Sequence, residues 1–181
     1  MTSVVDGIID DNTQLVVLGT GDAQYEDSFR YFEGKYKGKV CAYISYDEAL
    51  AHKIYAGSDV LLVPSQFEPC GLTQLIAMHY GTIPVVRETG GLKDTVEPYN
   101  KYEDTGNGFT FDRYEAGLLY DAIERAKALY LGHSESWKKM VIRDMEKDVS
   151  WEASAKKYYD LYLELLEGPK PVEEETEDGA E

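Results

Sequence analysis

Residues 64–75 bring a carboxylate, a glycine and a hydroxyl together at the predicted start of a helix, in the sequence Pro-Ser-Gln-Phe-Glu-Pro-Cys-Gly-Leu-Thr-Gln-Leu. A helix N-terminus presents unpaired N–H groups and roughly half a positive charge, which attracts anions such as phosphate. Gly71 has no Cβ, so a ligand can approach the backbone closely there. Thr73 adds a hydroxyl in the first turn, and Glu68 can accept hydrogen bonds from sugar hydroxyls. These residues therefore suit a ligand that carries both hydroxyls and phosphates.

The same residues also fit a purely structural role. On local physical grounds alone, the ligand-binding role and the structural role are equally well supported. A proline-containing turn into an amphipathic helix is common, and Glu68 would then only interact with the helix dipole. The segment follows residues 59–63, with the sequence Asp-Val-Leu-Leu-Val, which we predict to be a strand. Ligands of open α/β sheets bind at the carboxyl ends of strands, which is where this segment should lie.

The elements around this segment alternate between strand and helix patterns. Strands are predicted at 14–18, 40–44, 59–63 and 83–86, with a short edge strand within 106–111. One helix is predicted to follow residues 19–22 and to end near residue 36. Further helices are predicted at 47–57, 72–80, 113–130, 135–147 and 151–166, with Asp47 and Ser150 as N-caps. This alternation predicts an α/β fold with a Rossmann-like, doubly wound parallel sheet.

The beginning of the chain departs from that fold. Residues 2–10 are predicted to form a helix, whereas a strand should open a doubly wound domain. The first strand of that order lies centrally, where ligands bind, so we expect it to be missing from the sheet.

We predict one domain over residues 1–167, followed by a disordered acidic tail over 168–181.

Composition excludes several classes of partner. The net charge is -16, from 34 acidic and 18 basic residues, and such a surface repels nucleic acid and anionic lipid. No apolar run approaches the roughly 20 residues that span a bilayer, and the opening residues do not resemble a signal peptide. Cys41 and Cys70 form no disulfide framework. We therefore expect a cytoplasmic protein without nucleic-acid or membrane partners.

Residues 67–75 resemble the signature loop of glycogen and starch synthases, which are retaining glycosyltransferases of family five with the GT-B fold. The resemblance continues through residues 80–87 and 89–96, with ordered matches at 18–22, 46–49 and 150–151, and it covers about residues 4–166. It implies that the chain is the C-terminal, nucleotide-sugar-binding half of such an enzyme. The implied reaction transfers glucose from ADP-glucose to the non-reducing end of an α-1,4-glucan, with retention and without a metal or cofactor.

The resemblance also implies roles for individual residues in the signature loop. Glu68, the catalytic candidate, would bind glucose hydroxyls and help to stabilise the sugar as it becomes oxocarbenium-like. The N–H groups around Cys70, Gly71 and Leu72 would contact the donor sugar. Thr73 would contact the distal phosphate.

Three further residues would form the nucleotide subsite. The resemblance implies that Tyr46 stacks on adenine and that Gly19 and Gly21 keep the cleft open to the nucleotide. Family-four glycosyltransferases, which use other donors, carry a second glutamate eight positions after the first. Ile76 occupies that position here, which favours family five. The sequence leaves adenine and uracil both open as the base, with the bacterial-type loop favouring ADP.

Two parts of a complete synthase are not found in this sequence. The Arg-Leu-x-x-Gln-Lys-Gly segment, whose cations neutralise the donor diphosphate, would lie immediately before residue 1, and the N-terminal domain with its acceptor surface is also missing. Such cations contribute on the order of several kcal/mol to transition-state stabilisation. We therefore expect the fragment to be inactive alone. The alternative is a non-catalytic nucleotide- or glucan-binding module.

Several residues with chemical potential are predicted to be structural. The spacing of His52, His79 and His133 does not match a metal site, and Cys70 has no histidine nearby to act as a base. Arg87 is a weaker candidate for contact with phosphate.

Overall fold

The computed structural model describes residues 1–167 and confirms an α/β fold. Its strands are β1 (Leu15–Leu18), β2 (Val40–Tyr43), β3 (Val60–Val63), β4 (Ile83–Arg87) and β5 (Phe109–Phe111). Its helices are α1 (Val5–Ile8), α2 (Ala23–Lys35), α3 (Glu48–Gly57), α4 (Thr73–His79), α5 (Gly90–Thr95), α6 (Ala116–Gly132), α7 (Ser134–Met145) and α8 (Trp151–Glu167). Each strand and each helix beyond residue 20 lies where the alternating pattern predicted one, apart from α5.

The structure differs from the helical predictions in two places. Residues 2–10 do not form one helix: a 3₁₀ turn over Thr2–Val4 leads into the single α-turn of α1. The helix stops there because the Asp10 carboxylate accepts hydrogen bonds from the Asn12 N–H (2.9 Å) and the Thr13 hydroxyl (2.8 Å), which favour a turn. Helix α5 was not predicted because it begins with two glycines, which are poor helix formers.

The strands form two separate parallel sheets. β1 pairs with β2 in one sheet, and β3, β4 and β5 form the other in that order. β1 and β3 do not pair with each other, so the predicted doubly wound sheet is divided between them. The division falls where the expected first strand would lie in the doubly wound order.

The main core lies on the three-stranded sheet. Ile83 and Val85 of β4 pack with Ile123 of α6 and with Trp137 and Met140 of α7, and all five side chains are buried. A smaller cluster, of Val5, Phe32 and Val40, lies under the two-stranded sheet. The β3-β4-β5 sheet therefore carries most of the apolar burial.

The described residues divide into two compact units after Lys147. In the second unit, the Ser150 hydroxyl accepts a hydrogen bond from the Ala153 N–H (3.2 Å), as expected of the N-cap of α8. The single domain over 1–167 remains a prediction, and the predicted acidic tail at 168–181 lies outside the described residues. Within residues 1–167, no helix is long and apolar enough to cross a membrane.

Asp144 is an unusual charged residue in the core of the first unit. Its side chain is buried, and neither carboxylate oxygen has a hydrogen-bond partner within the described chain. Burial raises the pKa of Asp144 to about 7, against the opposing effect of Lys147 and Arg143. Both cations donate to backbone carbonyls instead, Lys147 to Thr95 and Arg143 to Gly106, each at 2.9 Å.

We expect the Asp144→Asn variant to be more stable above neutral pH. The folded-state pKa of about 7 exceeds the ordinary value of 3.8, so between these pH values the folded chain retains a proton that the unfolded chain releases. The free energy of unfolding of the parent therefore falls as pH rises through this window, by at most about 4 kcal/mol. Asparagine abolishes this loss but leaves its own amide unpaired, so the expected net gain at pH 8 is about 2 kcal/mol.

Urea unfolding at intervals between pH 4 and 8 tests this expectation. The exposed Asp94 provides the control, because Asp94→Asn makes the same chemical change outside the core and leaves Asp144 in place, so the fall in stability with pH should persist. Parallel profiles for the parent and Asp144→Asn would contradict the assignment.

Candidate functional site

The segment from Pro64 to Leu72 joins the carboxyl end of β3 to the N-terminus of α4, as predicted. The backbone N–H groups of residues 70–75 donate to no hydrogen-bond acceptor among residues 1–167, and no side chain there caps α4. By contrast, the Asp47 carboxylate caps α3 by accepting from the Leu50 N–H at 2.8 Å. Leu72 and Thr73 are exposed. Six successive amides at the start of α4 therefore have no partner within residues 1–167, and those of Cys70, Leu72 and Thr73 belong to exposed residues, whereas Gly71 and Gln74 are buried.

A buried glutamine holds the turn at Gly71. Gly71 has a φ of +71°, in the left-handed region that favours glycine. Gln74 is fully buried, and its Nε2 donates to the Gly71 carbonyl (2.7 Å) and to the Thr95 hydroxyl (3.0 Å). These bonds connect the turn to α5. The amides of the turn are therefore held in place before any ligand binds.

Two glycines of α5 allow the loop to pack directly against that helix. A Cβ on Gly90 would lie 2.0 Å from the Glu68 carbonyl oxygen, and one on Gly91 would lie 1.7 Å from that of Cys70. The Gly91 N–H also donates to the Pro69 carbonyl at 3.3 Å. The backbone of residues 68–70 therefore lies against a surface that only glycine can provide.

Glu68 is half-buried in the same loop. The Ser65 hydroxyl donates to its Oε2 at 3.3 Å. The Arg87 guanidinium donates to the backbone carbonyls of Ser65 (2.8 Å) and Gln66. Arg87, which we considered for phosphate contact, is thus occupied in holding the loop that carries Glu68.

The three predicted nucleotide-site residues follow the paired strands β1 and β2. Gly19 has a φ of +152° and its N–H donates to the Tyr43 carbonyl at 3.2 Å. The Gly21 N–H donates to the Glu26 carboxylate at 3.0 Å. Tyr46 is 84% exposed, so its ring faces are open. No hydrogen bond within the described part of the chain joins this group to residues 64–75.

A cleft of about 660 Å³ lies at the carboxyl ends of the strands in both sheets. Asp22, beyond β1, and Pro64 and Gln66, beyond β3, line it together with Phe111 of β5. Its lining includes no lysine or arginine side chain. Among residues 1–167, no group of three histidine, cysteine, aspartate or glutamate side chains is placed to hold a metal. The predicted site residues do not line this cleft: its lining contains none of Gly19, Gly21, Tyr46, Glu68 and residues 70–75.

A comparison with models of protein families shows which family this chain belongs to. Residues 4–142 match the model described as "Glycosyl transferases group 1". The chain belongs to this family. The resemblance of residues 67–75 to a glycosyltransferase signature therefore agrees with the family that the whole match gives.

Individual relatives narrow the similarity to glycogen and starch synthases. The glycosyltransferase chain is 51% identical to a glycogen synthase of Lachnospira eligens over 162 residues, which cover 90% of this chain and 34% of the relative. The catalytic domain of starch synthase IV from Arabidopsis thaliana, solved with ADP and acarbose, matches with a TM-score of 0.73 and 41% identity, over 83% of this chain and 32% of that one. The predicted resemblance is confirmed, and the chain spans about a third of the length of these relatives.

A more distant neighbour shares only the fold. The sucrose-phosphate synthase of Thermosynechococcus elongatus matches with a TM-score of 0.63 at 24% identity, over 92% of this chain and 41% of that one. The parallel sheets and flanking helices of this glycosyltransferase chain match the GT-B fold of its starch synthase neighbour.

Three residues that shape the site have no predicted role. Gln74, Gly90 and Gly91 lie in the segments that carry the resemblance, but no role was assigned to them. Gln74 lies between Leu72 and Ala77, on the helix face that is buried. This position was the signal for its role, because buried amides usually have hydrogen-bond partners. The close approach of the two glycines to the loop is a non-local contact that sequence spacing does not reveal.

Proposed function

We propose that this chain is the donor-binding part of a glycogen or starch synthase, an enzyme that transfers glucose from ADP-glucose to the non-reducing end of an α-1,4-glucan with retention. The observation that carries the proposal is the run of amides at residues 70–75 that have no hydrogen-bond partner within residues 1–167, in the segment that also carries the half-buried Glu68. The family membership and the named glycogen and starch synthases support it. The ADP and acarbose bound to the starch synthase support a nucleotide and a glucan as ligands.

In the proposed reaction, the bond between the glucose anomeric carbon and the diphosphate breaks, a bond from that carbon to the 4-hydroxyl oxygen at the non-reducing end of the glucan forms, and the hydroxyl proton is released with ADP. Positive charge develops on the sugar, and Glu68 is the carboxylate that binds glucose hydroxyls and stabilises this charge. Negative charge develops on the leaving diphosphate, and the amides of Cys70, Gly71 and Leu72 with the Thr73 hydroxyl stabilise the bound donor. Preorganised dipoles of this kind are effective because they need no reorientation during the reaction.

The nucleotide subsite is proposed at the ends of β1 and β2. The open ring of Tyr46 is suited to stack on adenine. Gly19 and Gly21 have open space where a Cβ would project, so a nucleotide can approach their backbone closely. We propose ADP as the nucleotide.

The isolated chain should bind the donor weakly and turn it over negligibly. The net charge of -16 opposes an anionic ligand, and the cleft lining supplies no lysine or arginine side chain. This observation favours the second candidate, a non-catalytic nucleotide- or glucan-binding module, for the chain by itself.

Titration of the ¹⁵N-labelled chain with ADP, AMP and UDP tests the proposed site. We expect ADP to bind with a dissociation constant on the order of 1 mM, near -4 kcal/mol, and to shift the amide resonances of residues 70–75. AMP should shift Thr73 less, because it has no distal phosphate. Shifts confined to other regions, or an equal response to AMP at Thr73, would contradict this assignment of the amides.

A further inference from the structure

Gln74 is a polar residue on the buried face of α4. Its side chain is fully buried, and its Oε1 has no hydrogen-bond partner within residues 1–167. A buried acceptor without a partner lowers the stability of a fold, because its hydrogen bonds to water are lost and not replaced. An apolar side chain of the same length would avoid this cost. Packing alone therefore does not account for a glutamine at this position.

The Nε2 group of the same side chain makes two hydrogen bonds that an apolar residue could not make. One goes to the Gly71 carbonyl (2.7 Å) and the other to the Thr95 hydroxyl (3.0 Å). A carbonyl oxygen can only accept, so the nitrogen and not Oε1 must face it. Oε1 lies over the Gly71 Cα, 2.7 Å from the place that a Cβ would take. The carboxamide thus packs against Gly71 and binds its carbonyl oxygen.

The hydrogen bond to the Gly71 carbonyl sets the direction of the next amide. In a planar trans peptide, the carbonyl of one residue and the N–H of the next point in opposite directions. The Gly71 carbonyl points toward the buried Gln74, so the Leu72 N–H points away from it. Leu72 is 68% exposed, and its N–H makes no hydrogen bond within the described chain. The Leu72 N–H is therefore free to meet a ligand.

Gly71 cannot hold this direction by itself. Glycine has the widest range of backbone conformations, so its own sterics do not prevent the Gly71–Leu72 peptide from reversing. Among residues 1–167, no donor other than Gln74 reaches the Gly71 carbonyl. The bond from Gln74 is therefore the restraint that keeps this peptide in one orientation.

Thr95 of α5 holds the Gln74 amide from the other side. The Thr95 hydroxyl accepts from Gln74 and donates to the Gly91 carbonyl at 2.6 Å. Its backbone carbonyl accepts from the Asn107 amide (3.1 Å) and from the Lys147 ammonium group (2.9 Å). Because Thr95 is itself held by these bonds, it gives the Gln74 amide a fixed anchor.

We propose that Gln74 is a positioning residue for the nucleotide-sugar donor, because its Nε2 directs the Leu72 N–H toward the ligand. This role rests on the proposed function, in which that amide binds the donor. Gln74 itself is buried behind the turn and does not touch the donor. A reversed peptide would present the Gly71 carbonyl oxygen in place of the N–H, and its partial negative charge would repel the donor diphosphate.

Two matched variants separate this role from a general effect on stability. Gln74→Met keeps the length of the side chain but removes the bonds to Gly71 and Thr95. Thr95→Val keeps the shape but removes the bonds to Gln74 and Gly91. Both variants lose two hydrogen bonds, and only Gln74→Met frees the Gly71 carbonyl. The urea midpoint of Gln74→Met should fall no further than that of Thr95→Val, because methionine also removes the unpaired Oε1.

The direction of the Leu72 N–H can be measured without a ligand, as its residual dipolar coupling in the ¹⁵N-labelled whole chain. We expect this coupling to change in Gln74→Met and to keep the parental value in Thr95→Val. The couplings of β4 should match the parent in both variants, which would show that the sheet is intact.

Gln74→Glu gives a second test that depends on protonation. A glutamic acid side chain can donate to the Gly71 carbonyl only when it is protonated, and burial favours the protonated form. The Leu72 coupling should therefore be parental at about pH 5 and altered at about pH 9, when each is compared with the parent at the same pH.

Titration with ADP-glucose then measures the consequence for the donor. The Leu72 amide resonance should shift in the parent and in Thr95→Val. In Gln74→Met this shift should be lost, and ADP-glucose should bind roughly tenfold more weakly, as expected from the loss of one hydrogen bond to a charged ligand.

The possible failures are distinguishable. A parental Leu72 coupling in Gln74→Met, or in Gln74→Glu at both pH values, would overturn the role of Gln74 and leave the proposed function in place. Equal weakening of ADP-glucose binding by Gln74→Met and Thr95→Val would do the same. If residues 70–75 of the parent did not respond to ADP-glucose, the proposed function would fail, and the role of Gln74 would fail with it.

Discussion

Replacement of Glu68 by glutamine is expected to lower the turnover of glucan synthesis about 10²–10³-fold, equivalent to about 3–4 kcal/mol of transition-state stabilisation. Glutamine keeps the size of the side chain but removes the charge that is proposed to stabilise the oxocarbenium-like sugar. The measurement uses a chimera in which this chain replaces the matching 162 residues of the Lachnospira eligens glycogen synthase, to which it is 51% identical. Affinity for ADP should be unchanged, because ADP has no glucose for Glu68 to contact.

The control for this experiment is Glu103→Gln, since Glu103 is exposed and makes no hydrogen bond within residues 1–167. It should leave turnover and ADP affinity at the values of the unmodified chimera. Normal glucan synthesis by Glu68→Gln would remove Glu68 from the catalytic role. An inactive, folded chimera with native Glu68 would contradict the proposed enzyme function and favour the binding module.

Substitution of Gly91 by alanine is expected to destabilise the first unit by about 4 kcal/mol. The new Cβ would lie 1.7 Å from the Cys70 carbonyl oxygen and 2.5 Å from its carbonyl carbon. These are backbone atoms and cannot rotate away, so either α5 or the loop must move by more than an ångström. Movement of the loop would also displace the amides of residues 70–75 and weaken ADP binding.

Urea unfolding and the ADP titration measure the two effects of Gly91→Ala. Gly117, in the first turn of α6, is the matched control because a Cβ there meets no atom within 4 Å. Gly117→Ala should leave ADP binding unchanged and stabilise the chain by up to about 1 kcal/mol. A Gly91→Ala variant with parental stability would show that the loop does not need this contact.

The order of strands and helices could be predicted because it depends on local periodicity. Apolar runs such as Val60–Val63 and the Asp47 cap of α3 are specified within a few residues of chain. The segment 67–75 likewise identified the family because its specificity lies in consecutive residues. Helix α5 was missed for the same reason, since its two glycines oppose a helix locally and only their contact with the loop explains them.

The sequence by itself determined the α/β class, the family resemblance and the identity of the loop that carries Glu68. Only the tertiary structure decided which groups hold that loop: Arg87 donates to the carbonyls of Ser65 and Gln66, and Gly91 admits the Cys70 carbonyl. It also divided the sheet between β1 and β3. The physical reason is the distance along the chain over which each kind of interaction acts. Periodicity and capping act over a few residues, whereas these contacts join segments about twenty residues apart or more, and their geometry exists only once the chain has folded.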